Sequence, residues 1–97
     1  MDRKEELDAY QKSLVRFLDR KFCSPYQVEG KEVSRNIYAE RCDIAGSTLT
    51  RIKNREGYDV PISTIYKFCD FENIKVKDLF IEFEGIYYKN KEETDNQ

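Results

Sequence analysis

The sequence has no histidine and no tryptophan among its 97 residues, and only three cysteines, Cys23, Cys42 and Cys69. Without histidine, the commonest general base and the Ser-His and Cys-His nucleophile systems are excluded. Three widely spaced cysteines fit neither a disulfide framework, which needs pairs, nor a zinc site, which needs four close ligands. We therefore expect no enzymatic activity, no metal and no cofactor, and three reduced thiols packed as small apolar side chains.

Long apolar runs are also missing. No stretch approaches the roughly 18 consecutive apolar residues that a membrane span requires. The N-terminal residues 1–6 lead into no apolar run of the signal-peptide type. We therefore expect a cytoplasmic protein that does not bind a membrane.

Charge is plentiful but nearly balanced. The 17 basic residues face 19 acidic ones, which leaves a net charge of −2. The signs are unevenly distributed: residues 31–55 hold six basic and three acidic side chains, whereas residues 56–97 hold five basic and ten acidic ones. Because nucleic-acid-binding domains are usually basic, the overall charge slightly disfavours that function, while the basic middle of the chain favours it.

Apolar side chains recur at steps of three and four, which is the period of a helix with one buried face. In the first such segment they are Leu7, Tyr10, Leu14, Phe17, Leu18 and Phe22. In the fourth they are Ile62, Ile65, Tyr66 and Cys69. No strand pattern is visible, so the sequence predicts an all-α domain of five short helices over residues 5–23, 35–42, 45–54, 62–71 and 77–87.

Capping and breaking residues separate these helices. Pro25 ends the first helix, Ser34 is a good N-cap for the second, and Asn73 can adopt the left-handed conformation that ends the fourth. We expect a single domain over residues 1–88, followed by a polar and disordered tail over residues 89–97.

Residues 34–54 form two short predicted helices joined by a tight turn. Ala39 is small where the helices would cross, and Ile44 and Leu49 follow at five-residue steps. This pattern resembles the Cro-type, phage-repressor-like family of helix-turn-helix DNA-binding transcription regulators. The resemblance continues downstream to Phe80, and it implies a compact five-helix repressor-like domain that contains a helix-turn-helix.

The resemblance, together with the charge and hydrogen-bonding groups nearby, gives a candidate site. The base-contacting residues are Gly46, Ser47, Thr50 and Arg51. The phosphate-contacting residues are Arg35, Lys53, Asn54 and Arg55. Arginine has the planar fork that pairs with O6 and N7 of guanine, so Arg51 is suited to base reading.

Several positions depart from the family pattern. Asp43 stands where a turn glycine is usual, and aspartate tolerates a left-handed backbone better than most residues do. Gly46 replaces a long polar base reader, which favours looser specificity or the reading of DNA shape. Lys53 stands where an acidic residue is usual, and we expect it to pair with an acidic residue of the first helix such as Asp19. The loop over residues 24–33 is longer than the family norm, and it either packs on the body or reaches toward DNA or a partner.

We therefore expect a sequence-specific DNA-binding transcriptional regulator, a repressor or an autoregulator. It would insert the helix over residues 45–54 into the major groove of double-stranded DNA as a homodimer. Four side chains near the end of the last helix either form the dimer seam, which we favour, or complete the monomer core: Phe83, Ile86, Tyr87 and Tyr88. Two alternatives stay open: a protein-interaction module that uses the acidic C-terminal half, and an antitoxin-like protein that binds DNA weakly or only beside a partner.

Overall fold

The computed structural model describes residues 2–54 and 57–95. Its helices are α1 (Arg3–Leu18), α2 (Arg35–Cys42), α3 (Gly46–Asn54), α4 (Ile62–Glu72) and α5 (Val76–Asp95), and α1 continues into a π-helical turn (Asp19–Cys23). Two short strands, β1 (Gln27–Val28) and β2 (Lys31–Glu32), precede α2. The all-α fold class is confirmed. In the part of the chain that is described, no helix has the length and apolarity to cross a membrane.

A side chain caps the N-terminus of helix α1. The helix packs against the rest of the protein from its third turn onward. Asp2 accepts a hydrogen bond from the Glu5 N–H at 2.8 Å, which satisfies one of the free donors at the helix start. Leu7, expected to be inward, is exposed. The packed part of α1 starts at Tyr10, whose ring lies edge-on against Phe83 and Tyr87 of α5.

The segment over residues 24–33, predicted as a loop, contains a small hairpin. Strands β1 and β2 are antiparallel, and Glu29 and Gly30 between them have φ of 54° and 79°, as two-residue hairpin turns require. The Tyr26 ring lies 5.4 Å from the Tyr38 ring, so the segment packs on the body. Two-residue strands are too short to produce an alternating pattern in the sequence.

Helices α2 and α4 end in the same way. Asp43 and Asn73 have φ of 60° and 59°, in the left-handed region. The N–H of the following residue bonds to a carbonyl five residues back, at 2.9 Å in both helices, which is the usual closure of a helix C-terminus. The expected left-handed conformation is therefore confirmed at both positions.

The core lies between all five helices. Ala39, Ile44, Leu49 and Ile65, which the sequence pattern places inward, are buried. The core also contains Tyr38, Ile52 and Leu79. In α4, however, Ile62 and Tyr66 are exposed, and Phe68 is buried instead. This helix contacts both α2 and α5, and Phe68 stacks on Phe22 at 4.8 Å, so its inward face is rotated from the predicted one.

Helix α5 is longer than predicted. It continues through Asp95, where a disordered tail was expected to begin at residue 89; residues 96 and 97 lie outside the described part of the chain. After Tyr87 the sequence contains no proline or glycine, and its lysines and glutamates are good helix formers. Helix α5 therefore continues where the tail was expected to begin, and the side chains of residues 89–93 are exposed.

Candidate nucleic-acid interface

Helices α2 and α3 form a compact helix-turn-helix unit. The Ser34 hydroxyl accepts a hydrogen bond from the Ile37 N–H at 3.3 Å and caps α2. Ala39, Ile44 and Leu49 are buried where the two helices meet. They fix the angle between the helices, and the burial of α3 on this side leaves its opposite side outward.

The outward side of α3 holds the predicted DNA-contacting residues of that helix. Ser47, Arg51 and Asn54 are exposed, and Gly46 and Thr50 are half-buried. At 3.6 residues per turn these five positions span about 140° of the helix circumference, while Leu49 and Ile52 point the other way and are fully buried. The structure therefore brings all four predicted base-contacting residues onto one face.

Arg51 rests on an aromatic ring that the sequence did not reveal. Its guanidinium carbon lies 5.6 Å from the centroid of the Tyr58 ring, a distance typical of a cation–π contact. Tyr58 lies between α3 and α4 and packs against the core. This tyrosine belongs to no periodic pattern, so only the folded chain shows that it supports the arginine.

Arg35 reaches from the start of α2 across to α3. Its guanidinium donates hydrogen bonds to the Thr50 hydroxyl and, at 3.2 Å, to the Asn36 side-chain oxygen. It also lies directly against Gly46. Within residues 2–54 and 57–95, neither Arg35 nor Arg51 forms an ion pair, so both positive charges remain uncompensated by acidic side chains there.

Lys53 has a structural role that the predicted phosphate contact did not include. Its ammonium donates to the Cys23 carbonyl at 2.8 Å and to the Ser24 hydroxyl at 3.1 Å, and it lies 3.7 Å from the Asp19 carboxylate. The expected pairing with Asp19 is confirmed. These contacts give Lys53 a structural role, and its phosphate contact stays a prediction. Arg55, the remaining predicted phosphate contact, lies outside the described residues.

Of the four side chains predicted to form the dimer seam, some lie in the core and others lie on the surface. Phe83 is 2% exposed and Tyr87 is half-buried; both pack against Tyr10. Ile86 and Tyr88 are about half exposed. Phe83 therefore completes the monomer core, as the second of the two expectations had it. The expected dimer seam is wrong for Phe83, because α1 covers its ring.

The three cysteines are free and buried. Burial, followed by the nearby Asp19 charge, raises the pKa of the Cys23 thiol to about 12, and burial raises the pKa of the Cys42 thiol to about 11. These thiols are therefore protonated and poorly nucleophilic at neutral pH. Among the described residues, no cluster of three or more histidine, cysteine or acidic side chains could hold a metal ion.

Comparison with protein families supports the interpretation of this geometry. The family model for the Cro/C1-type helix-turn-helix DNA-binding domain matches residues 14–83, which include the whole of the α2–α3 unit and most of the core. Neither the curated proteins nor the solved structures compared with the chain give a significant match. The matched residues make up most of the chain, and the chain therefore belongs to the family of Cro/C1-type helix-turn-helix DNA-binding domains.

Proposed function

We propose that this protein is a sequence-specific transcriptional regulator, a repressor or an autoregulator, that acts in the cytoplasm by inserting α3 into the major groove of DNA. The outward face of α3 carries the proposal. It presents hydroxyl and guanidinium groups from Ser47, Thr50 and Arg51, and these are the groups that bond to base edges and phosphates.

The charge distribution supports this use of α3. Arg35 and Arg51 have no acidic partner within the described residues. The acidic excess lies largely behind residue 56, and α5, which holds much of it, packs on α1 and α4. A net charge of −2 is therefore compatible with DNA binding, because repulsion between the acidic half and phosphate weakens with distance and salt.

Within this proposal the side chains have distinct roles. Arg51, supported by Tyr58, reads a base, with Ser47 beside it. Asn54 contacts phosphate at the end of α3, and Arg55, the next residue in the sequence, is a further phosphate contact. Gly46 has no side chain, which leaves room for the Arg35 guanidinium at the start of α3.

A homodimer would place two copies of α3 on half-sites about 34 Å apart, one turn of the double helix. The outer face of α5 is the surface that we assign to the second copy. Ile81 and Tyr88 are exposed there, and Gly85 lies between them with open space around its Cβ position, so a second helix can approach closely.

The proposal is tested by selecting duplexes from a random-sequence library at two salt concentrations, with wild type and Arg51→Ala in parallel. We expect a motif with two-fold symmetry, a steep salt dependence, and a loss of about 1–3 kcal/mol in specific binding by Arg51→Ala with one relaxed base position. Arg41→Ala, an exposed arginine on α2 outside the proposed interface, is the control. Unselective binding by wild type would contradict the proposal.

A protein-interaction or antitoxin-like role is the second candidate. It is favoured by the exposed apolar side chains Ile81 and Tyr88 on α5 and by a pI of about 5.2. In that case the library would yield no motif with the protein alone. A motif that appears only when a partner chain is added would support this candidate instead.

A further inference from the structure

We infer that Arg35, from the first turn of α2, supplies the base-reading side chain that α3 lacks at Gly46. The inference rests on the proposed function and refines it: Arg35 becomes a determinant of sequence specificity instead of the phosphate contact that its position in the motif implies. At Gly46 the outward face of α3 starts without a side chain.

The guanidinium of Arg35 occupies the space that a side chain at Gly46 would fill. A Cβ built on Gly46 would lie 3.7 Å from the Arg35 Nε and 3.8 Å from its Cζ and Nη2. That is ordinary van der Waals contact, so an alanine fits. Any longer side chain at this position competes with the guanidinium for the same space.

Hydrogen bonds hold the guanidinium in this place. Nη1 donates to the Thr50 hydroxyl, which donates in turn to the Gly46 carbonyl at 3.1 Å. Nη2 donates to the Asn36 side-chain oxygen at 3.2 Å. Thr50 lies one turn after Gly46 on the outward side of α3, so Arg35 is anchored to the surface proposed to enter the groove. An arginine already fixed in position loses less entropy when it binds.

The remaining donors suit a base edge. Of the five N–H donors of a guanidinium, two have partners in the part of the chain that the structure describes. The others are available on an exposed side chain. The planar fork of arginine matches O6 and N7 of guanine, whereas the ammonium of lysine is a point charge that cannot form the same paired contact. The inference therefore requires a guanine in each half-site, opposite the start of α3.

The test compares wild type, Arg35→Lys and Arg41→Lys in duplex selection at two salt concentrations. Arg35→Lys keeps the charge but not the fork. We expect it to lose the preference for one guanine per half-site, with about 10- to 100-fold weaker binding to the selected site and an unchanged salt slope. Binding to a duplex altered at that guanine should be equal for wild type and Arg35→Lys. Arg41→Lys, on another face of α2, should retain the wild-type motif.

Gly46→Gln provides a second and independent variant. Its side chain displaces the guanidinium, so the preference should change at the same base position and at no other. Circular dichroism checks that each variant is folded. If both variants retain the wild-type motif, Arg35 reads no base and the inference is overturned while the proposed function stands. If wild type selects no motif, the proposed function fails, and this inference fails with it.

Discussion

The ammonium of Lys53 in α3 lies 3.7 Å from the carboxylate of Asp19, in the turn that follows α1. Asp19 is 2% exposed, whereas the Lys53 side chain is 47% exposed. The Ser24 hydroxyl donates to the same carboxylate at 2.9 Å. Lys53 thus links α3 to the end of α1, and it balances the charge of Asp19, which is buried at the base of the hairpin.

Lys53→Met should therefore lower the free energy of unfolding while leaving the salt dependence of DNA binding unchanged. Removing the ammonium leaves the Asp19 carboxylate buried with one fewer partner, and we expect a loss of about 1–3 kcal/mol in the free energy of unfolding. Urea denaturation measures this loss, and Lys12→Met, an exposed lysine on α1, is the control. An unchanged stability together with a salt slope lower by about 1 would instead identify Lys53 as a phosphate contact.

The left-handed turn at Asp43 gives a second stability prediction. Asp43→Gly and Asp43→Ala both remove the exposed ion pair with Lys67, which spans 3.6 Å, so they differ mainly in backbone freedom. At a φ of 60° glycine is unstrained, whereas alanine is strained by about 1 kcal/mol. We expect the glycine variant to be the more stable of the two by about that amount in urea denaturation. Equal stabilities would show that the turn is not strained.

These residues show which parts of the fold the sequence predicts well. Ala39, Ile44 and Leu49 lie in a local pattern with fixed spacing, and their burial follows from that pattern alone. Asp43 and Asn73 end helices through chemistry that acts within a few residues. Such short-range determinants were read correctly, and so were the bounds of α2.

Other parts depend on contacts between distant segments. Tyr58 supports Arg51 from a loop, and Arg35 reaches Gly46 only because the turn folds α3 back beside α2. The inward face of α4 is set jointly by α2 and α5, which a single helical pattern cannot specify. The pairing of Lys53 with Asp19 was inferred only because Lys53 departs from the family pattern in charge.

The raised pKa values of two buried thiols predict how the free energy of unfolding changes at alkaline pH. The pKa values of Cys23 and Cys42 are raised in the folded protein from 9.0 to about 12 and about 11, so the unfolded chain loses these protons first. The stability they contribute is present below pH 9 and declines as pH rises from 9 toward 12. Urea denaturation at pH 7, 8, 9 and 10 should show the decline beginning near pH 9.

The control for this prediction removes the titrating groups. A variant with Cys23→Ala and Cys42→Ala starts from lower stability because side-chain volume is lost from the core. Its stability should nevertheless fall less between pH 9 and 10 than that of wild type. Scans kept at or below pH 10 limit the contribution of Tyr26, whose pKa is raised by burial from 10.0 to about 12, because the unfolded chain loses that proton mainly above pH 10. An equal decline in both proteins would show that the thiols are not responsible.

The arrangement of α5 limits which side chains can form a dimer seam. Ile86 and Tyr88 are both exposed, but residues two apart on a helix point about 200° away from each other. Ile86 lines a cavity of about 460 Å³ between α1 and α5, whereas Tyr88 shares the outer face with Ile81. The proposed seam therefore includes Tyr88 and excludes Ile86.

Tyr88→Lys should dissociate the proposed homodimer, and Ile86→Lys should not. Losing a tyrosine that is a hot spot of an interface costs about 2 kcal/mol or more, so the dissociation constant should rise about 30-fold or more. Sedimentation equilibrium over a range of concentrations measures it directly. The same variant should bind a symmetric duplex more weakly while retaining its affinity for a single half-site, because α3 is unaltered. A dimer that resists Tyr88→Lys but dissociates with Ile86→Lys would move the seam to the cleft between α1 and α5, and a monomeric wild type would exclude a homodimer altogether.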